Sequence, residues 1–254
     1  MTTSRFASTV APSVRVSGTE GSAPSRTTQT IRIGVLLSGS GTNFKAVLDA
    51  IRKKQLDAKV CVVISNVASA GGIERAKEAG IPAIVIDHRR YGNRKDFDTA
   101  VVEVLVGHNV DYVVLAGFMR VVTSVLLDAF PMRIVNIHPA LLPAFAGLNA
   151  QSQAFTYGVK MAGCTVHFVD AGTDTGPIIA QAVVPVLNED DDEAVRQRIL
   201  RAEHRLLPTV LQWIAEGRVT AKPGPKGNER ARVVLDGVEG AFVYDVPMHE
   251  LAQF

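Results

Sequence analysis

The sequence predicts an α/β fold, a doubly wound and mostly parallel sheet with a short disordered N-terminal extension and a C-terminal β-hairpin appendage. Three observations lead there. From residue 31 onward, short branched apolar runs alternate with helical patterns, as in a parallel sheet covered on both faces. Before residue 31, 13 of 30 residues are Ser or Thr and apolar side chains are scattered, too few to offset ordering entropy. The full chain has 254 residues, 47% of them hydrophobic, enough for one ample domain at roughly 100–200 residues per domain.

In chain order, residues 31–38 (IRIGVLLS), 59–66 (KVCVVISN), 83–87 (AIVID), 112–118 (YVVLAGF) and 133–139 (RIVNIHP) predict strands. Helices are expected over 43–54, 72–79 and 94–107. In the first of these, Phe44, Val47, Leu48 and Ile51 recur at helical spacing and give one core-facing stripe. Residues 165–170 (TVHFVD) and 178–186 (IIAQAVVPV) predict two more strands joined by a Gly/Asp/Pro-rich loop. A long helix over 191–217 follows, kinked near Pro208 because proline removes a backbone donor. Then come a Pro/Gly/Lys linker over 221–227 and a small hairpin pairing 232–235 with 241–244.

Charge and cysteine usage narrow the function classes. Lys and Arg number 27 against 25 Asp and Glu, and the extension, with Arg5, Arg15 and Arg26 against Glu20, carries the whole excess. A neutral body argues against nucleic acid as a partner despite a pI of 8.6. No apolar run reaches membrane length. Cys61 and Cys164 lie far apart without metal-ligand spacing and suit a reducing compartment, so no metal is expected. The Ser-rich, Arg-bearing, nearly acid-free extension also fits a plastid transit peptide, but a plain tail on a cytoplasmic protein is the preferred reading.

Two places carry chemistry. The first strand runs into Ser38-Gly39-Ser40-Gly41-Thr42-Asn43 just before a helix, where glycine turns and unpaired helix N–H groups can hold a phosphate without lysine. An ordinary capped turn is the competing reading. Neither the P-loop nor the dinucleotide fingerprint is present. Further on, strand alternation places Asn136 and His138 on one face at a carboxyl end, with Ile137 opposite in the core. Asp174, in the glycine-bearing loop 170–177, is expected to reach His138 and orient it as an acid near neutral pH.

SGSGTN, LAGFMRVV at 115–122, NIHPALLPAF at 136–145, HFV followed by DTGP around Asp174, and RAEHRLLP around Glu203 occur in that order. Together they resemble the glycinamide ribonucleotide (phosphoribosylglycinamide) formyltransferases of the formyl transferase family, over residues 31 to 219. The resemblance implies a formyltransferase, Rossmann-like domain at 31–219, with residues 1–30 as extension and 220–254 as linker and appendage. It implies transfer of the formyl group of 10-formyltetrahydrofolate, as co-substrate, to the amino group of glycinamide ribonucleotide in de novo purine (IMP) biosynthesis. Asn136, His138 and Asp174 would form the catalytic trio, acting without metal. Gly39, Ser40, Gly41, Thr42 and Asn43 would hold the phosphate and Glu203 the ribose. Arg94, Met119, Arg120, Val121 and Val122 would face the folate, with a solvated charge the alternative for Arg94 and Arg120. His167 takes an auxiliary position, with a satisfied core histidine as the alternative. Small-molecule substrates are the expected partners, on a monomer or homodimer.

Two residues depart from the family pattern: Ala146 stands where proline is usual, and Asn149 where His or Asp is common. With the trio intact, weakened but retained activity is expected. Among formyl-folate enzymes, formyltetrahydrofolate deformylase shares the trio but acts on water and normally carries an amino-terminal regulatory domain, and methionyl-tRNA formyltransferase normally adds a carboxy-terminal nucleic-acid-binding domain. A non-catalytic phosphate-ligand-binding protein is the reading from another class.

Overall fold

A computed structural model of the chain describes residues 29–224, 231–236 and 243–245. The expected extension lies almost wholly outside the described residues, as does much of the C-terminal appendage. The described chain runs β1 (Ile31–Leu37), α1 (Thr42–Arg52), β2 (Ala58–Ser65), α2 (Gly71–Glu78), β3 (Ala83–Val85), α3 (Arg94–Gly107), β4 (Tyr112–Leu115) and α4 (Ser124–Ala129). It continues with β5 (Ile134–His138), α5 (Ala150–Tyr157), β6 (Met161–Phe168), β7 (Ile178–Pro185), α6 (Asp192–Ala215), β8 (Val219–Lys222), β9 (Arg232–Leu235) and β10 (Val243–Asp245).

The main sheet has the order β10-β7-β6-β5-β4-β1-β2-β3. β3, β2, β1, β4 and β5 are mutually parallel, whereas β6 is antiparallel to both β5 and β7. One apolar layer packs α1, α2 and α6 against one face, with Phe44, Val47, Ile199, Leu206 and Leu207 at its centre. A second covers the other face with α3 and α4 through Phe97, Val101, Leu105 and Leu126. Two covered faces explain the unbroken apolar strands, because β1 has no solvent side to alternate toward.

Helix ends follow local chemistry. Asn93 caps α3 by accepting from the Asp96 amide, and Asp191 caps α6 by accepting from that of Ala194. The Arg198 guanidinium, buried on α6, grips both carboxylate oxygens of Asp190 at 2.6 and 2.8 Å and holds that carboxyl below the usual range. Pro208 sits inside α6, which runs on as one helix to Ala215.

Some expectations need correction. The C-terminal hairpin is made by other strands than expected: β9 pairs antiparallel with β8, while of 241–244 the structure describes 243 and 244, in β10, which adds parallel to the β7 edge of the main sheet. An antiparallel appendage therefore exists, but its first strand lies in what reads as linker, since Ala221 and Lys222 belong to β8. β6 begins at Met161, four residues before the expected start. α4 and α5 have no counterpart in the sequence reading; both are short, with few buried side chains to mark a periodic stripe.

Candidate active site

β5 ends in Asn136-Ile137-His138, and alternation does what the spacing predicts: Ile137 enters the apolar core while His138 lines a cavity of about 570 Å³. The cavity lies between the segment after β4 (Gly117 to Val122), the end of β5, the turn into α5 (Gly147 to Asn149) and the β6–β7 loop (Gly172 to Asp174). Asn136, His138, His167 and Asp174 converge on it.

Asp174 arrives from far along the chain. The β6–β7 loop sets out beside Val135, the partner of Phe168, and doubles back toward His138. Gly176 permits this close return, because a Cβ there would stand 1.7 Å from the Phe168 carbonyl oxygen. Asp174 itself takes φ 54°, a left-handed conformation that aspartate tolerates. One carboxylate oxygen accepts from the Gly147 amide at 2.8 Å and stands 3.4 Å from His138 Nδ1. The other stands 3.7 Å from His167 Nε2.

The hydrogen-bond partners fix the rings. His138 Nε2 lies 2.9 Å from the Phe145 carbonyl oxygen, which can only accept, so Nε2 carries hydrogen and Nδ1 is left to face Asp174. His167 Nδ1 likewise donates to its neighbour's carbonyl, that of Phe168, at 2.8 Å, and Nε2 accepts from Asn136 Nδ2 at 3.0 Å. His167 thereby sets which end of the Asn136 amide is nitrogen, and leaves that NH₂ a second hydrogen to offer.

The 39–43 loop is built from backbone. Gly41 takes φ 71° at the N-cap of α1, and a Cβ there would meet the Gly72 backbone at 2.7 Å. The Gly39 carbonyl accepts from the Gly72 amide at 3.1 Å and the Ser40 carbonyl from Arg75 Nε at 2.9 Å. A trans peptide sends its N–H opposite its carbonyl, so the amides of Ser40 and Gly41 point away from α2, joining the unpaired donors of α1. Behind them, Asn43 Nδ2 donates to Glu203 Oε2 at 2.7 Å, and Asn43 Oδ1 is buried without a partner. Burial pushes the Glu203 carboxyl up to about 7, against the lowering effect of the Asn43 bond.

On the other wall, Met119, Arg120, Val121 and Val122 all line the cavity. The Arg120 guanidinium lies 4.8 Å over the Phe97 ring, which stacks on Phe118. Arg94 is exposed at the first position of α3, outside the cavity lining. Asn149 lines the cavity in a left-handed conformation, φ 56°, and caps α5 without a side-chain bond. Sequence reasoning missed the Phe145 carbonyl, the Gly147 amide and Arg196, which also lines the cavity. The first two are backbone groups and leave no trace in residue type; an arginine on a long helix reads as a solvated charge. Among the described residues, no group of three or more His, Cys, Asp or Glu is placed to hold a metal ion, and no helix is long and apolar enough to cross a membrane.

Residues 31–211 match the profile of the family described as formyl transferase. The chain is 44% identical over 194 residues to the trifunctional purine biosynthetic protein adenosine-3 of Drosophila melanogaster, covering 76% of this chain but 14% of that protein. It is 41% identical over 183 residues to the phosphoribosylglycinamide formyltransferase of Bacillus subtilis, covering 72% of this chain and 94% of that one. The crystal structure of glycinamide ribonucleotide transformylase 1 from Symbiobacterium toebii superposes with a TM-score of 0.76 at 50% identity, covering 87% of this chain and 99% of that one.

Proposed function

The chain belongs to the formyl transferase family, and on that premise we propose that residues 31–219 transfer the formyl group of 10-formyltetrahydrofolate to the amino group of glycinamide ribonucleotide, in de novo purine (IMP) biosynthesis. The observation that carries this reading is the convergence of Asn136, His138 and Asp174 at one end of the cavity. The names of the Bacillus subtilis and Symbiobacterium toebii proteins support the choice of substrate. The cavity suits the folate: its volume lies within the roughly 300–1,000 Å³ usual for small-molecule sites, and its lining combines apolar Val122 and Phe118 with the polar Asn136, His138 and Asp174.

When bound, the folate supplies a formyl group carried on a nitrogen leaving group. The amides of 39–43 hold the ribonucleotide phosphate, and Glu203, when ionised, accepts from ribose hydroxyls. Residues 119–122 hold the folate, and Arg94, outside the cavity lining, meets only a part of it that projects from the cavity. As the substrate amine attacks, negative charge develops on the formyl oxygen, and the second Asn136 amide hydrogen donates to it. His138 Nδ1, its other nitrogen held by Phe145, takes the proton shed by the amine, and Asp174 stabilises the imidazolium so formed. The imidazolium then acts as the acid, returning that proton to the leaving nitrogen as its bond to the formyl carbon breaks. His167 serves as the positioning residue for Asn136. The protein works in the cytoplasm as a monomer or homodimer, without nucleic-acid or membrane partners.

The test is folate release from 10-formyltetrahydrofolate with and without glycinamide ribonucleotide. Release that requires the ribonucleotide, and that falls by about 100-fold or more in His138→Ala while ribonucleotide binding stays near normal, supports the reading. Equal release in both conditions identifies water as the acceptor and overturns it.

A further inference from the structure

Ser38 belongs to neither substrate subsite, yet it touches the chain on both sides of them. It immediately precedes Gly39, the first residue of the anion loop. The β1–β4 ladder ends at the Leu36–Leu115 pair, after which the two chains diverge toward their separate loops. Ser38 spans this opening twice. Its amide donates to the Gly117 carbonyl at 2.9 Å, and its hydroxyl oxygen accepts from the Met119 amide at 2.9 Å. The hydroxyl hydrogen is committed elsewhere, donated to Asn66 Oδ1 at 2.6 Å. Asn66 is itself buried at the end of β2, and its Nδ2 faces His88 Nδ1 at 3.3 Å.

This arrangement is directional. A hydroxyl whose hydrogen is fixed by Asn66 has its lone pairs fixed as well, and one of them holds the amide that opens the Met119–Val122 wall. Movement of the anion loop on closing around a phosphate therefore shifts the oxygen that anchors the folate wall, and movement of that wall shifts the residue that leads into the anion loop.

We propose that the Ser38 hydroxyl, locked by Asn66, is a positioning residue that couples the phosphate and folate subsites, so that each ligand tightens the binding of the other. The inference rests on the formyl-transfer reading for the identity of the two ligands but not for the existence of the coupling. Linkage makes the effect reciprocal, and a coupling of about fivefold or more is the scale expected for such a connection.

The experiment measures the dissociation constant of glycinamide ribonucleotide with and without saturating tetrahydrofolate, which lacks the formyl group and cannot react. The protein is expected to bind the ribonucleotide about fivefold more tightly with tetrahydrofolate present. Ser38→Ala is expected to bind each ligand alone within about tenfold of normal, but with a coupling ratio near one, and Ser38→Thr to restore the ratio. A ratio unchanged in Ser38→Ala overturns the proposal. Hydrogen exchange with inorganic phosphate as the probe separates this from failure of the functional reading. Phosphate is expected to slow exchange at 39–43 and at 117–122 together, the latter being lost in Ser38→Ala. Slowing confined to 39–43 in the unsubstituted protein overturns the coupling. Failure to bind ribonucleotide or folate at all, with phosphate protecting both segments, overturns the formyl-transfer reading and sustains the coupling.

Discussion

The loop at 39–43, proposed to hold the phosphate, and the β6–β7 loop that carries Asp174 are built by different means. The first is contiguous: a strand ends, Gly41 turns the chain at φ 71°, and α1 begins, with α2 close behind to occupy the carbonyls. Its donors are backbone amides, so almost any side chains can surround them. The second brings a single carboxylate across β5 and β6 to a histidine far away in sequence, and depends on the antiparallel register of those strands and on Gly176 lying against Phe168. The contrast separates binding from chemistry. On the proposed function, binding is spread over a row of equivalent groups, whereas the chemistry rests on side chains that have no substitutes.

Substitutions can break or sharpen that contrast. The largest effect is expected for Asp174→Asn, which keeps an oxygen for the Gly147 amide and tolerates the same left-handed backbone but cannot stabilise an imidazolium. Steady-state kinetics should show kcat lower by about 100- to 1000-fold with the ribonucleotide KM little changed. Gly41→Ala acts on the other loop: a left-handed alanine costs about 1–3 kcal/mol and drives into the Gly72 backbone. The ribonucleotide KM should rise about tenfold, a loss of roughly 1.4 kcal/mol, while kcat keeps most of its value because Asn136 and His138 stand on β5 and Asp174 on the β6–β7 loop. If kcat instead falls as steeply as in Asp174→Asn, the two loops are not separable.

Glu203→Gln probes the ground beneath the anion loop. The Glu203 carboxyl, raised by burial to about 7 from 4.5, binds a proton more tightly folded than unfolded. Its contribution to stability is therefore full below about pH 4.5 and is lost as pH rises through 7. The span is ~3 kcal/mol, the smallest effect on catalysis but a plain one in denaturation. Thermal or urea unfolding followed from pH 5 to 8 should show a decline that Glu203→Gln flattens. An equal decline in the variant would place the titrating group elsewhere.

The legibility of these features in sequence follows the same division. β1, β2 and α3 were readable because branched apolar runs and a 3.6-residue period are local statements about which side is wet. The turn at 39–43 was readable for a like reason, since glycine positions announce backbone turns. For Asn136 and His138, strand alternation predicted the shared face, and the glycine-bearing loop 170–177 made Asp174 a candidate third member, which the resemblance to a family then supported. The misplaced C-terminal pairing shows the limit. Residues 232–235 form a strand as their composition suggests, but strand composition does not name a partner, and β8 rather than β10 supplies it. Glu203 reads as a ribose acceptor, with no sign in its neighbours that it would be buried beside Asn43.

By itself, the sequence determined the α/β alternation, the lysine-free glycine turn ahead of α1 and the polar pair at the end of β5, because each depends on a few consecutive residues and on backbone geometry. Only the tertiary structure decided that Asp174 meets His138, that Phe145 and His167 set which nitrogens of the site carry hydrogen, that Glu203 holds its proton near neutrality, and that β10 closes the β7 edge. Those outcomes depend on what the rest of the chain brings alongside. Burial and hydrogen-bond partnership are properties of a neighbourhood, and a neighbourhood exists only once the sheet has formed.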